Sequence, residues 1–355
     1  MSVRAFIQFA FVAALVVSAT GCRVDPSLEP DPESQPHTHP FDLNVKPGLP
    51  PMPIPANNPM TVEGVALGRK LFFDPILSGD NTMSCASCHK QSFAFTDSAL
   101  QFSTGIDGLV GTRNAMPLVN LGWQKKFFWD GGAASLEDQA IAPIENPIEM
   151  HESLANCIAE LQAHAEYPAL FEAAFGSSTI TTPMLMKAIA QFERTLVSDN
   201  SKYDQYLRGE AQLTPQELNG LNLYVTEGKG DCVHCHTLGS TFSDFEFRNN
   251  GLDSVPVDEG RYLITLNDLD KGKFKTPSLR NVEVTAPYMH DGRFQTLEQV
   301  LNHYNSEFHV NVLTDPALQV QTKHRMTQQE MQDIVAFLKT LTDHDFLTNP
   351  AFSKP

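Results

Sequence analysis

The chain has 355 residues, of which 25 are Lys or Arg and 42 are Asp or Glu, giving a formal net charge of −17. At roughly 100–200 residues per domain this length suggests two domains, and a hydrophobic share of 41% is enough for packed cores. The acidic balance, with no Lys/Arg cluster, excludes a nucleic-acid partner, and six cysteines are too few for a disulfide scaffold of this size.

Residues 1–22 read as an export signal. Arg4 precedes an apolar stretch from Ala5 to Val17 that is short for a transmembrane span. Ala19-Thr20-Gly21-Cys22 resembles a bacterial lipobox, with Ala19 where Leu is usual. Cys22 is therefore the expected lipidated N-terminus, with ordinary signal cleavage nearby as the alternative. Residues 23–55 are rich in Pro, Asp and Glu and suit a flexible tether. His37 and His39 within it are read as solvated side chains without a role. The expected location is the periplasm, tethered to a membrane through Cys22.

Thr61 is placed to cap a helix that carries Val65, Gly68 and Phe72 on one face. The run Cys85-Ala86-Ser87-Cys88-His89 follows. Leu154, Ile158 and Leu161 accompany Cys157 on an amphipathic helix, which predicts an inert buried thiol. Pro183 to Leu207 reads as helical, and a boundary near Arg208-Gly209 separates residues 56–208 from 209–355. Thr214, Pro215 and Glu217 open the next helix with a capping box, and Leu218, Leu221 and Val225 are expected on its buried side. Cys232-Val233-His234-Cys235-His236 comes next. Thr327 and Glu330 open a last helix with Met331, Ile334, Val335, Leu338 and Leu341 at core spacing. Gly68 with Phe72, and Gly220 with Tyr224, stand four apart, where a glycine admits a close neighbouring helix. The fold class is mainly α, with one Cys-x-x-Cys-His run in each half.

Both C-x-x-C-H runs match the attachment sequence of c-type haem. Two thiols three positions apart reach the two vinyl groups of one porphyrin, and the adjoining His89 or His236 reaches the iron. Zinc usually takes four protein ligands in paired spacing, and neither run has a convincing second pair nearby. A thioredoxin-like pair needs no adjoining histidine and sits in a βαβ pattern that this chain lacks. The expected cofactors are two covalently bound haem c groups, held by Cys85, Cys88 and His89 and by Cys232, Cys235 and His236. The expected fold is accordingly mainly α, as two cytochrome c-like haem domains packed with the haems bridged across the domain interface.

Further runs carry a wider likeness: Leu67 to Asp74, Thr112 to Pro117, Phe128-Trp129-Asp130-Gly131, Gln139 to Met150, and Thr285 to Gly292. With them, the chain resembles the bacterial di-haem cytochrome c peroxidase family, including its MauG-like members, from about Pro59 to Leu341. The resemblance implies reduction of hydrogen peroxide to water, or its use to oxidise a partner. It implies Glu149 as the proton shuttle of the first haem, with Gln139 and Pro143 in the same pocket and Trp129 between the haems. It also implies calcium between the domains, held by the Asn114 side chain and the carbonyls of Thr285 and Pro287. The second iron's distal ligand falls on Tyr304 by family position, with Met289 and His303 as alternatives.

Two departures qualify the resemblance. Many of these peroxidases plug the first iron with a histidine after the first motif, and no histidine occurs between Lys90 and Met150. The first haem is therefore expected to be five-coordinate or only water-bound. His151, the nearest substitute, is expected to pack or to face solvent. MauG carries a tryptophan two residues before its second motif as an exit for holes, where this chain has Gly230; its other tryptophan, Trp123, lies in the first half. Three functions follow for weighing: a peroxidase fed by a small cytochrome c or cupredoxin, a MauG-like oxidase of a protein partner, and a non-enzymatic di-haem electron carrier. A homodimer is common in the family.

Overall fold

The computed structural model describes residues 38–97, 99–321 and 323–355; the expected signal peptide, Cys22, His37 and residues 23–37 of the tether lie outside the described residues. Helices dominate: α1 is Val62–Phe73, α2 Leu154–Ala163, α3 Tyr167–Phe175, α4 Thr182–Thr195, α5 Pro215–Val225, α6 Leu297–Asn302 and α7 Gln328–Lys339. A single two-residue antiparallel pair, Phe247–Arg248 with Lys275–Phe274, is the sheet among the described residues. None of the described helices is long and apolar enough to cross a membrane.

The caps sit where the sequence puts them. Thr61 Oγ1 accepts from Gly64 N at 3.0 Å and starts α1. Thr214 with Glu217, and Thr327 with Glu330, close reciprocal capping boxes on α5 and α7. Each cap fixes where the helix begins, and so which residues turn inward.

Both halves use one packing device. α1 crosses α4 with Gly68 against the Ala188 carbonyl, and α5 crosses α7 with Gly220 against the Asp333 carbonyl. That second contact rotates α5 away from the expected face. Leu218 and Val225 are 41% and 37% exposed, while Gly220, Leu223 and Tyr224 are buried. The glycine contact requires the 220/223/224 stripe to meet α7, so Leu218 and Val225 turn outward while Leu221 stays partly buried against the second core. The expected core positions Met331, Ile334, Val335 and Leu338 on α7, and Leu341 just past its end, are all buried.

One core gathers residues of α1 to α4 with Leu77, Ile144 and Met150, and Cys157 is fully buried in it. Another gathers Tyr203, α5, Phe242, Val282, α6 and α7. A third, around Phe72, Phe95, Phe127 and Phe192, takes in Phe346 and Phe352 from the chain's end. The terminal segment is tied there by Arg69, whose Nε donates to the Ser353 carbonyl at 2.7 Å, and by Gln91, whose amide donates to the Phe346 carbonyl at 3.0 Å. Arg113 bridges Asp130 and Asp258, at 2.5 and 2.7 Å, linking the 113–130 loops to the segment that connects the two short strands.

Candidate active site

The first motif folds into one helical turn, Cys85–Cys88, begun by Ser84 and its reciprocal partner Ser87. The chain then doubles back through two left-handed residues, Ala94 at φ 51° and Phe95 at φ 60°. This reversal brings the Phe95 carbonyl 2.7 Å from His89 Nδ1. A carbonyl only accepts, so Nδ1 carries the proton and Nε2 keeps a free lone pair for a metal. Burial lowers the His89 pKa, which favours the neutral, ligating form.

The second motif repeats the arrangement. After the turn Cys232–His234, Phe242 stands at φ 54° and its carbonyl lies 3.1 Å from His236 Nδ1. Burial again lowers the histidine's pKa. Tyr224, inward on α5, donates from its hydroxyl to the His236 carbonyl. The Nδ1–carbonyl bonds fix each ring and raise its basicity as a ligand, while the Tyr224 bond anchors the backbone of His236. The carbonyl partners of the two histidines were not evident in the sequence; each follows its histidine by six residues, within a reversal with no composition cue.

A cavity of about 1080 Å³ opens beside the first motif, lined by Cys85, Cys88 and His89 and also by Gln139, Pro143 and Glu149. Its size, two thiols, an oriented imidazole and largely apolar walls fit a covalently held porphyrin. Lys275 adds a buried ammonium to the lining, 2% exposed, whose Nζ donates to Gln124 Oε1 at 2.5 Å and to the Lys126 carbonyl at 3.0 Å. Burial brings its pKa down to about 7. Among the described residues no group of three or more His, Cys, Asp or Glu side chains is arranged to hold a metal ion.

Glu149 follows the helical turn Ile141–Glu145 and returns through an Asn146-Pro147 turn. Burial raises its pKa, while the Asn146 amide, donating to Oε1 at 2.7 Å, pulls it back. Asn146 is a site residue missed in the sequence, although Asn before Pro is a turn signal. Gly105 makes room for the Glu149 backbone: a Cβ there would come 2.6 Å from the Glu149 carbonyl. Gln139 ends the turn Leu136–Gln139, capped by Ser135, and faces the same cavity. His151 is tied to Asp107 at 2.5 Å with its side chain 53% exposed, so it turns to solvent.

Trp129 is buried along the same cavity. Its Nε1 donates to the Asn114 carbonyl at 2.9 Å, and its own carbonyl accepts from Lys275 N at 2.7 Å. Asn114 N donates to the His290 carbonyl at 2.7 Å, joining the 112–117 and 285–292 runs. The Asn114 amide nitrogen is engaged by the Leu100 and Gln101 carbonyls, both at 3.1 Å, so a cation would meet that amide through Oδ1.

Near the second motif, Tyr304 and Met289 converge on one amide: Asn250 Nδ2 lies 3.3 Å from Tyr304 Oη and 3.4 Å from Met289 Sδ. His303 is buried with Nε2 on the Asn250 carbonyl at 3.1 Å. Asn250 carried no signal beyond the Asn-Asn-Gly turn it occupies. At Gly230 a Cβ would approach the Leu223 carbonyl to 2.7 Å and Ile334 to 3.1 Å, so a tryptophan does not fit this backbone.

Residues 62–212 match the family profile described as di-haem cytochrome c peroxidase. The methylamine utilization protein MauG of Methylophilus methylotrophus is 33% identical over 82% of this chain and 85% of its own length. The chain belongs to the di-haem cytochrome c peroxidase family. Cytochrome c551 peroxidase of Nitrosomonas europaea is 37% identical over 82% of this chain and 83% of that relative. A MauG-like protein associated with microbial copper homeostasis superimposes with a TM-score of 0.82 at 37% identity, covering 89% of this chain and 99% of that one. The di-haem peroxidase BthA of Burkholderia thailandensis follows the fold at a TM-score of 0.73 and 26% identity, over 87% and 98%. Membership in this peroxidase family brings two c-type haems and oxidoreductase chemistry on peroxide.

Proposed function

We propose that the chain is a di-haem peroxidase that reduces hydrogen peroxide to water at the His89 haem, with electrons delivered through the His236 haem from a small cytochrome c or cupredoxin. One observation carries this reading: Glu149 and Gln139 line the cavity that Cys85, Cys88 and His89 also line. The bound haems supply the iron that receives peroxide and the electrons that reduce it. The chain's own part is protonic. Glu149 takes the proton from the near peroxide oxygen and returns it to the far one, so that the departing oxygen leaves as water. Its burial keeps the carboxyl's pKa raised, toward the range where it both accepts and releases a proton. Gln139 orients the peroxide, and the absence of a histidine between Lys90 and Met150 leaves the first iron open.

In this reading residues 56–208 and 209–355 are the two haem domains, with Trp129 between the porphyrins, where its indole passes electrons more readily than aliphatic packing. Lys275 would be the cationic group of the lining available to the porphyrin's carboxylates. Asn114 Oδ1 and the carbonyls of Thr285 and Pro287 would hold calcium, an oxygen set suited to a hard cation. Export to the periplasm, lipidation at Cys22 and a homodimer complete the proposal.

A MauG-like oxidation of a protein partner is the second reading. Tyr304 beside the second motif favours it, because a phenolate ligand stabilises ferric iron and lowers its potential relative to methionine. Gly230, with no room for a tryptophan exit, weighs against it. A pure electron carrier would not need an open cavity with a raised carboxyl. Steady-state peroxide consumption with a reduced small cytochrome tests the proposal. Sustained turnover supports the peroxidase, whereas stoichiometric oxidation without turnover transfers the case to the second reading.

A further inference from the structure

The second haem's distal side carries an amide that no motif assigns. Asn250 touches all three side chains the sequence offers as ligands: its Nδ2 reaches Tyr304 Oη and Met289 Sδ, and its carbonyl accepts from His303 Nε2. The amide stands on a fixed turn. Asn249 Oδ1 accepts from Gly251 N at 2.9 Å, and Asn249 Nδ2 donates to the Lys271 carbonyl at 3.2 Å. Gly251 holds φ +68° with its Cβ direction closed by the His309 carbonyl at 2.5 Å. His303 and Tyr304 open a π-helical turn, His303–Glu307, a local widening often found at functional sites.

We infer that Asn250 is the positioning residue of the second haem's distal ligand, holding the Tyr304 oxygen in place and donating a hydrogen bond to it. This rests on the reading that Tyr304 ligates the second iron. A phenolate bound to a metal keeps a lone pair for a further donor, and a hydrogen bond to an ionised acceptor is stronger than a neutral one. The amide carries two N–H groups, so the contact with the weaker acceptor Met289 Sδ leaves the other N–H for the Tyr304 oxygen. The same residue's carbonyl accepts from His303 Nε2, so that nitrogen carries a proton and is not a ligand. Donation draws charge from the phenolate, so the iron beneath it is easier to reduce than under a bare phenolate.

The experiment uses the full-length, haem-loaded protein, with optical and EPR spectra and a spectroelectrochemical titration of the second haem. In Asn250→Leu the phenolate-to-iron charge-transfer band moves to lower energy and the second haem's potential falls, while the first haem's signals stay put. Asn250→Asp preserves the shape but replaces the donor with an acceptor, and it shifts both readouts the same way even where the leucine variant misfolds. Tyr304→Phe abolishes the band. Asn250 variants that keep band and potential, alongside a Tyr304→Phe protein that loses the band, overturn the inference and leave the ligation standing. A Tyr304→Phe spectrum identical to wild type overturns the ligation, and the inference falls with it.

Discussion

Gly68 lies on the carbonyl of Ala188 so closely that a Cβ added to it would stand 1.9 Å from that oxygen. Gly220 meets the Asp333 carbonyl in the same way, also at 1.9 Å. The obstacle in both pairs is backbone, which has no rotamer to give. Gly68→Ala and Gly220→Ala must therefore push helices apart, at a cost of about 1–3 kcal/mol or more. Urea unfolding of the haem-loaded protein measures this. An unchanged midpoint in either variant would show that the crossing is looser than described.

The shuttle role gives Glu149→Gln a defined signature. The amide cannot cycle a proton, so peroxide turnover should fall by roughly 10²–10⁴-fold while the ferric spectrum of the first haem is retained. Glu149 must start as a carboxylate to accept the first proton, so the wild-type rate declines as pH drops through its pKa. Burial places that pKa above the ordinary 4.5. The acid limb of kcat/KM should lie above that value and vanish in the glutamine variant. Full turnover by Glu149→Gln would sink the assignment.

Asn146 acts on the same profile in the opposite sense to burial. Its amide donates to Glu149 Oε1 and favours the carboxylate. Asn146→Ala leaves burial unopposed and raises the Glu149 pKa further. The acid limb should then shift toward higher pH, with the rate on the alkaline side of the limb changed much less. A limb that stays in place would mean that the amide does not contact the carboxylate in solution.

How much of this was readable beforehand depends on whether the information is local. Helix caps at Thr61, Thr214 and Thr327 are properties of four consecutive residues, and they appear as expected. The haem-attachment runs are equally local. The inward face of α5 was not, because Leu218 and Val225 outweigh Gly220 in hydrophobicity while the close approach to Asp333 decides the rotation. Asn250, Asn146 and Lys275 escaped for a related reason. Each acquires its role from a partner brought near by the fold, and a lone Asn or Lys carries no period or spacing. Glu149, the proposed shuttle, stands out only through the family run around it, being otherwise one acid among 42.

Glu193 on α4 makes a pH dependence of stability testable. It lines the cavity, is 4% exposed, and its Oε2 has no hydrogen-bond partner among the described residues. Burial drives its pKa from the ordinary 4.5 to about 8, against the pull of Arg194 and helped by Glu137. Between those values the folded state binds a proton that the unfolded state releases, so this group makes stability fall as pH rises from 4.5 toward 8. Glu193→Gln removes the dependence. Its unfolding free energy should exceed that of wild type by more at pH 8 than at pH 5, and parallel stability curves for the two proteins would refute the buried protonated acid.

Arg280 and Asp204 form a paired charge in the second half's interior, with side chains 1% and 8% exposed and guanidinium-to-carboxylate bonds of 2.8 and 2.9 Å. Asp204 also accepts from Ser201 Oγ at 2.6 Å and from Ser201 N at 2.9 Å, and Arg280 Nε donates to the Ser240 carbonyl at 2.7 Å. The pair thus fastens the 202–207 helix to the loop that follows the second haem motif, two residues from the Phe242 carbonyl that orients His236. Losing one partner strands the other charge in the core. Arg280→Met should cost about 3–5 kcal/mol and should disturb the second haem's spectrum before the first's. Replacing both, as Arg280→Met with Asp204→Leu, should recover a substantial part of that stability, because no uncompensated charge remains. A double variant no more stable than the single would place the effect in lost shape rather than in stranded charge.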